Sequence, residues 1–240
     1  MTRKISIIPI VGSIRDPIKD SMILLKRMGL GSIKRIRACF VWIPYMVISY
    51  TTNKPRKLCM DAFFFNKLAN RLNIVFLIRN NILKYGVKEM EVNEECILPL
   101  EYLDPKDVLK VMISVHEEAK IYHDILKEHL KGYRNELYPE LIRKVRNLNF
   151  IKSVLEIIGV QRNVKEVKLE HYIYYPEVFI ELDKEVRRVP IAISLGGEFK
   201  VDSIYTWLMG KDPLFEQWVL KIIDHYYRDD KLQSVGTQSP

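Results

Sequence analysis

Apolar residues recur at alternating spacings of four and three from Val108 through Met112, Val115, Ala119 and Tyr122 to Leu126. That period marks a helix with one packed seam. Asp104 before Pro105 provides a cap and a proline at the first helical position, and Gly132 provides a stop. Tyr138-Pro139 opens a second seam, carried by Leu141, Val145, Leu148, Ile151, Leu155 and Ile158. The two seams predict an antiparallel helical hairpin over 101–158. Two more helices are predicted over Val201 to Met209 and Pro213 to Arg228, separated at Gly210-Lys211-Asp212-Pro213. In the last, Phe215, Trp218, Val219, Ile222 and Tyr226 share a face. The polar tail 229–240 is expected to be disordered.

Elsewhere the period shortens to two. Met46, Ile48 and Tyr50 alternate with Val47 and Ser49, and Val178, Ile180 and Leu182 alternate with Glu177, Glu181 and Asp183, the pattern of half-buried strands. The segments around them follow the same order at a separation near 130 residues. Each has a helix ended by a glycine (Gly29, Gly159), a basic strand, a proline (Pro44, Pro176), an apolar strand and a basic turn (Lys54-Pro55-Arg56-Lys57, Arg187-Arg188). Glycine stops a helix by adopting the left-handed conformation. Proline cannot donate to a ladder, so the first strand of each unit is expected to end near it. The fold class is therefore α+β: two related units of a helix and three antiparallel strands, read as an internal duplication, with an inserted helical hairpin and C-terminal helices. The boundaries expected are 1–100 for a basic N-terminal unit, 101–158 for the insertion, 159–228 for the second unit with its helices, and 229–240 for the tail. A sheet of five to eight strands, antiparallel or mixed, is expected.

The chain has 240 residues, of which 48% are hydrophobic and 28% charged, so it can bury a core without metals or disulfides. Cys39, Cys59 and Cys96 are odd in number, lack CxxC spacing and have apolar neighbours, which points to reduced core thiols in the cytoplasm. No apolar run approaches the roughly 20 residues of a membrane span, and the N-terminal run is broken by Pro9 before any cleavage-site pattern. Glutamine is scarce, a bias found in proteins from hot environments, whose surfaces are charge-rich whatever they bind.

The net charge of +8 conceals a polarity along the chain. Residues 1–80 hold fifteen Lys or Arg against three acids, or +12, while residues 81–240 carry −4. A basic block of this kind attracts nucleic acid, an acidic protein or anionic lipid, unless the acidic remainder folds against it and neutralises it. Within the first unit Phe40, Trp42, Tyr45 and Tyr50 interleave with Lys34, Arg35, Arg37, Lys54, Arg56 and Lys57, a mixture that can stack on bases and track phosphates. Tyr172, Tyr174 and Tyr175 echo it in the second. As strand residues, Phe40, Trp42 and the Phe63-Phe64-Phe65 run also suit a core.

Enzymatic motifs are sparse. There is no GxSxG, no GxxxxGK[ST] and no GxGxxG, and Gly29-Leu30-Gly31 follows a helix rather than a strand. His116 and His123 share a helix face, yet neither belongs to an HExxH or a Glu-x-x-His pair. Asp183 with Glu198-Phe199-Lys200 resembles the acid and Glu-x-Lys spacing of a Mg²⁺-dependent nuclease, but Gly196-Gly197 interrupts the strand between them. No cofactor is indicated. The residues favour a non-enzymatic protein that contacts nucleic acid, without sequence preference, through Lys34, Arg35, Arg37, Lys54, Arg56 and Lys57. The alternatives are a protein-interaction or scaffold subunit, with a protein partner or a second copy, and the nuclease.

Overall fold

The computed structural model describes residues 1–29, 36–132, 149, 151–152, 164–184 and 187–227. Its elements are β1 (Thr2–Ile7), α1 (Pro17–Arg27), β2 (Ile36–Thr51), β3 (Pro55–Asp61), β4 (Lys88–Asn93), α2 (Pro105–Gly132), β5 (Lys165–Lys184), β6 (Arg187–Ser194), β7 (Lys200–Val201), α3 (Ser203–Lys211) and α4 (Pro213–Tyr226). The seven strands form a mixed sheet in the order β3-β2-β5-β1-β4, with β6 on β5 and β7 on β6. The class is α+β. Contacts divide the chain into two compact units, one of Met1–Pro44, Ile82–Pro99 and Ile173–Pro240, the other of Tyr45–Asn81 and Leu100–Tyr172.

In the first unit, α1 starts at Asp16, whose side chain accepts from the Lys19 N–H at 3.0 Å. It ends as the sequence suggests: Gly29 takes a φ of +78° and its N–H donates to the Lys26 carbonyl. Leu25 of α1 is buried in one cluster with Val178, Ile180 and Leu182 of β5 and Ile191 and Ile193 of β6. The opposite face of β5 presents Phe179 to Tyr205 of α3, and Tyr205 to Phe215 of α4. Asp202 and Asp212 cap those two helices, each accepting from the N–H three residues on. The helical break falls at Asp212 rather than Gly210, because Asp212 closes α3 and opens α4, and Val201 belongs to β7.

In the second unit, Asp104 and Pro105 open α2 as the sequence suggests, the Asp104 carboxylate accepting from the Lys106 N–H at 2.8 Å. Val108, Met112, Val115 and Ala119 of the seam are buried, and α2 packs on the 3-10 turn Arg71–Leu77. The seam opens beyond Ala119, where Tyr122 is exposed. The return helix expected over Leu141 to Ile158 lies outside the described residues, apart from Asn149, Ile151 and Lys152, as do Gly159 and the tail from Asp229.

The expected strand breaks at the prolines are corrected. β2 runs through Pro44 and β5 through Pro176, so each unit's supposed first two strands are one long strand. The reason is local. The β3 ladder begins at Tyr45↔Asp61 and the β6 ladder at Glu177↔Ser194, so each missing N–H falls one residue outside its antiparallel ladder. Two residues before each proline, a short parallel segment attaches. Ile8 N–H donates to the Tyr174 carbonyl at 2.9 Å, and Leu98 N–H to that of Trp42 at 3.0 Å. These segments read Ile7-Ile8-Pro9 and Ile97-Leu98-Pro99. The two long strands thus share a placement, although few residues match, and placement does not confirm an internal duplication.

Candidate nucleic-acid interface

The β2–β3 hairpin turns through Thr52-Asn53-Lys54, with Thr51 opposite Pro55 and the Thr52 N–H donating to the Lys54 carbonyl at 3.2 Å. A three-residue loop between strands of alternating facing gives its basic residues different surroundings. Lys54, Arg56 and Lys57 are all exposed. Tyr50 faces Arg56 across the ladder, and burial raises the Tyr50 hydroxyl's pKa while the Arg56 guanidinium, hydrogen-bonded to it, opposes the shift. Lys57 lies opposite Ser49 and 3.6 Å from Glu170 of β5. The Ser49 hydroxyl, first, and the Lys57 charge, second, hold the Glu170 carboxyl below the usual carboxylate range. Glu166 of β5, at a φ of +51°, accepts from the Thr51 hydroxyl at 3.4 Å. The hairpin is therefore cationic at its turn and mixed in charge along its flank.

Arg37 has a different fate. Its Nε donates to Glu181 at 2.5 Å, and its terminal nitrogens form ion pairs with Glu181 of β5 and Asp224 of α4. Glu181 is almost wholly buried, so this guanidinium balances an interior carboxylate. Lys34 and Arg35 lie outside the described residues.

Pairing of this kind extends across the basic third of the chain. Lys4 meets Glu89 at 2.5 Å, and the buried Lys67 pairs with Glu101 while its Nζ stands 3.9 Å from the Phe63 ring. Glu89, Glu101, Glu170, Glu181 and Asp224 all come from beyond residue 80, so part of the charge asymmetry along the sequence is balanced by the fold. Sequence reasoning missed these partners because each pair joins residues far apart in the chain. Exposed pairs such as Lys4–Glu89 contribute little to stability, yet they still lower the local field.

The aromatic half of the expected surface is absent from it. Trp42, Tyr45, Tyr50, Tyr174 and Tyr175 are buried, Phe40 is half-buried against Trp42, and Phe63, Phe64 and Phe65 are core. The nuclease set is not assembled either. Asp183 lies opposite Arg188 at the start of β6, whereas Glu198 follows the end of that strand, roughly 20 Å away along the ladder. Glu198 instead accepts from the Tyr85 hydroxyl at 2.9 Å and pairs with Lys200, with Lys84 at 3.8 Å. Lys200, chiefly, and then Tyr85 hold its carboxyl below the usual range. His116 is half-buried on α2, and His123 stands 3.2 Å from the neighbouring Asp124. Among the described residues no group of three His, Cys, Asp or Glu side chains is placed to hold a metal, and no helix is long and apolar enough to cross a membrane.

Comparison with protein-family models, with curated proteins and with solved structures finds no match to this chain.

Proposed function

We propose that the chain is a non-enzymatic binding protein that contacts nucleic acid through the turn of the β2–β3 hairpin. The observation that carries this reading is the exposure of Lys54, Arg56 and Lys57 within four residues, Lys57 keeping 58% of its side chain exposed beside Glu170, while Arg37 and Lys67 are drawn into pairs in which at least one partner is buried. Such a turn touches phosphates without reading bases, so affinity is modest and salt-dependent. Three contacts give a slope of log K on log salt near −2.7, or about a fortyfold loss from 50 to 200 mM. Free thiols at Cys39, Cys59 and Cys96 suit a reducing compartment such as the cytoplasm.

Fluorescence anisotropy against short nucleic acids tests this. Arg56→Glu with Lys57→Glu should weaken binding at low salt at least about tenfold and flatten the slope by about 1.8, with the melting temperature as a folding control. Unchanged affinity and slope in the double variant sink the assignment.

A second reading, an interaction or scaffold subunit, is favoured by α2, which leaves Ile121, Tyr122 and Ile125 exposed within about one turn. It expects a mass that rises with concentration in analytical ultracentrifugation and returns to the monomer in Ile121→Asp. A constant monomer mass overturns it.

A further inference from the structure

We infer that the nucleic acid bound at the β2–β3 turn is a duplex rather than a single strand, an inference that rests on the reading just given. Proteins that hold single strands without sequence preference combine a basic track with aromatic faces, and each stacked base adds about 1–3 kcal/mol. The turn has the first part and lacks the second. Tyr50, the ring nearest Arg56, is buried to 4% exposure, and Tyr45 further along β2 is wholly buried. Among the described residues of the same unit, the exposed tyrosine rings are Tyr102 and Tyr122, and His171 adds an exposed imidazole that sits next to the acid Glu170. Tyr102 stands between Glu101 and Asp104, and Tyr122 lies beside Asp124 and one turn from Glu118, so each is set among charges that repel phosphate. The turn adds only Thr51, Thr52 and Asn53 as uncharged hydrogen-bonding side chains.

What remains is charge on an exposed turn, and charge alone distinguishes the two ligands. A duplex carries one phosphate per about 1.7 Å of axis, and each neutralised phosphate releases more condensed counterion from a duplex than from a single strand, with slopes near 0.9 against 0.7 per contact. Without stacking to compensate, the denser polyanion binds more tightly.

The test is anisotropy at about 50 mM salt with a short DNA duplex and, separately, with each of its strands. The expected result is duplex binding about tenfold or more tighter than either strand, lost in Arg56→Glu/Lys57→Glu. Strands bound as tightly as the duplex, or more tightly, overturn this inference and leave the proposed function standing, provided that binding still depends on Arg56 and Lys57. Binding of neither form, or binding that ignores those two residues, overturns the proposed function and the duplex assignment with it.

Discussion

Replacing Arg37 by methionine is expected to destabilise the protein by about 2–4 kcal/mol, more than any single change at the hairpin turn. Methionine keeps the apolar stem as far as the position of Nε and removes the charge. Glu181, whose side chain is 4% exposed, then loses the guanidinium that neutralises it. Asp224, the second acid on Arg37, is 59% exposed and hydrates instead, so Asp224→Asn should cost under about 1 kcal/mol. Removing both interior charges together, as Arg37→Met with Glu181→Leu, should recover most of the loss, because no uncompensated ion is left. Urea unfolding of the four proteins measures these differences. If Arg37→Met is as mild as Asp224→Asn, the interior pair is not what holds β2, β5 and α4 in place. Arg37→Met should leave nucleic-acid affinity unchanged, which separates this residue from Lys54, Arg56 and Lys57 although all four look alike in the sequence.

That likeness explains where sequence reasoning succeeds and where it stops. Local rules hold where the cause is local: the Asp104-Pro105 start of α2, the Gly29 end of α1 and the hairpins after Pro44 and Pro176 follow from neighbouring residues. Proline at Pro44 and Pro176 gives a misleading local signal. Whether it ends a strand depends on which partner needs that N–H, and the β3 and β6 ladders begin one residue later. The candidate surface was legible only in its charge. Lys54, Arg56 and Lys57 belong to a turn that any reading of Thr51 to Lys57 would expose, whereas the burial of Tyr45 and Tyr50 is decided by what packs on β2. The pairing of Arg37 with Glu181 bridges 144 residues and leaves no mark in composition or period.

Gly197→Ala is expected to cost about 2–4 kcal/mol, a sum of two separable effects. The residue has a φ of +72°, where an alanine is disfavoured by about 1–2 kcal/mol. Its missing Cβ would also stand 2.3 Å from Cγ and Cδ1 of Tyr85, so the ring would have to leave. Displacing it breaks the Tyr85 hydroxyl's bond to Glu198, which matters little because that carboxylate keeps Lys200 and solvent. The larger loss is the packing of the ring on Gly197, whose N–H reaches the Pro9 carbonyl. Gly29 isolates the backbone effect, since its φ is +78° and nothing lies within 4 Å of an added Cβ. Gly29→Ala should therefore cost only about 1 kcal/mol. In a Tyr85→Ala background Gly197→Ala should fall to the same value, because the steric effect has gone. Equal costs for Gly197→Ala with and without the Tyr85 ring would mean that the ring does not rest on this turn. Gly197 would then serve backbone conformation alone.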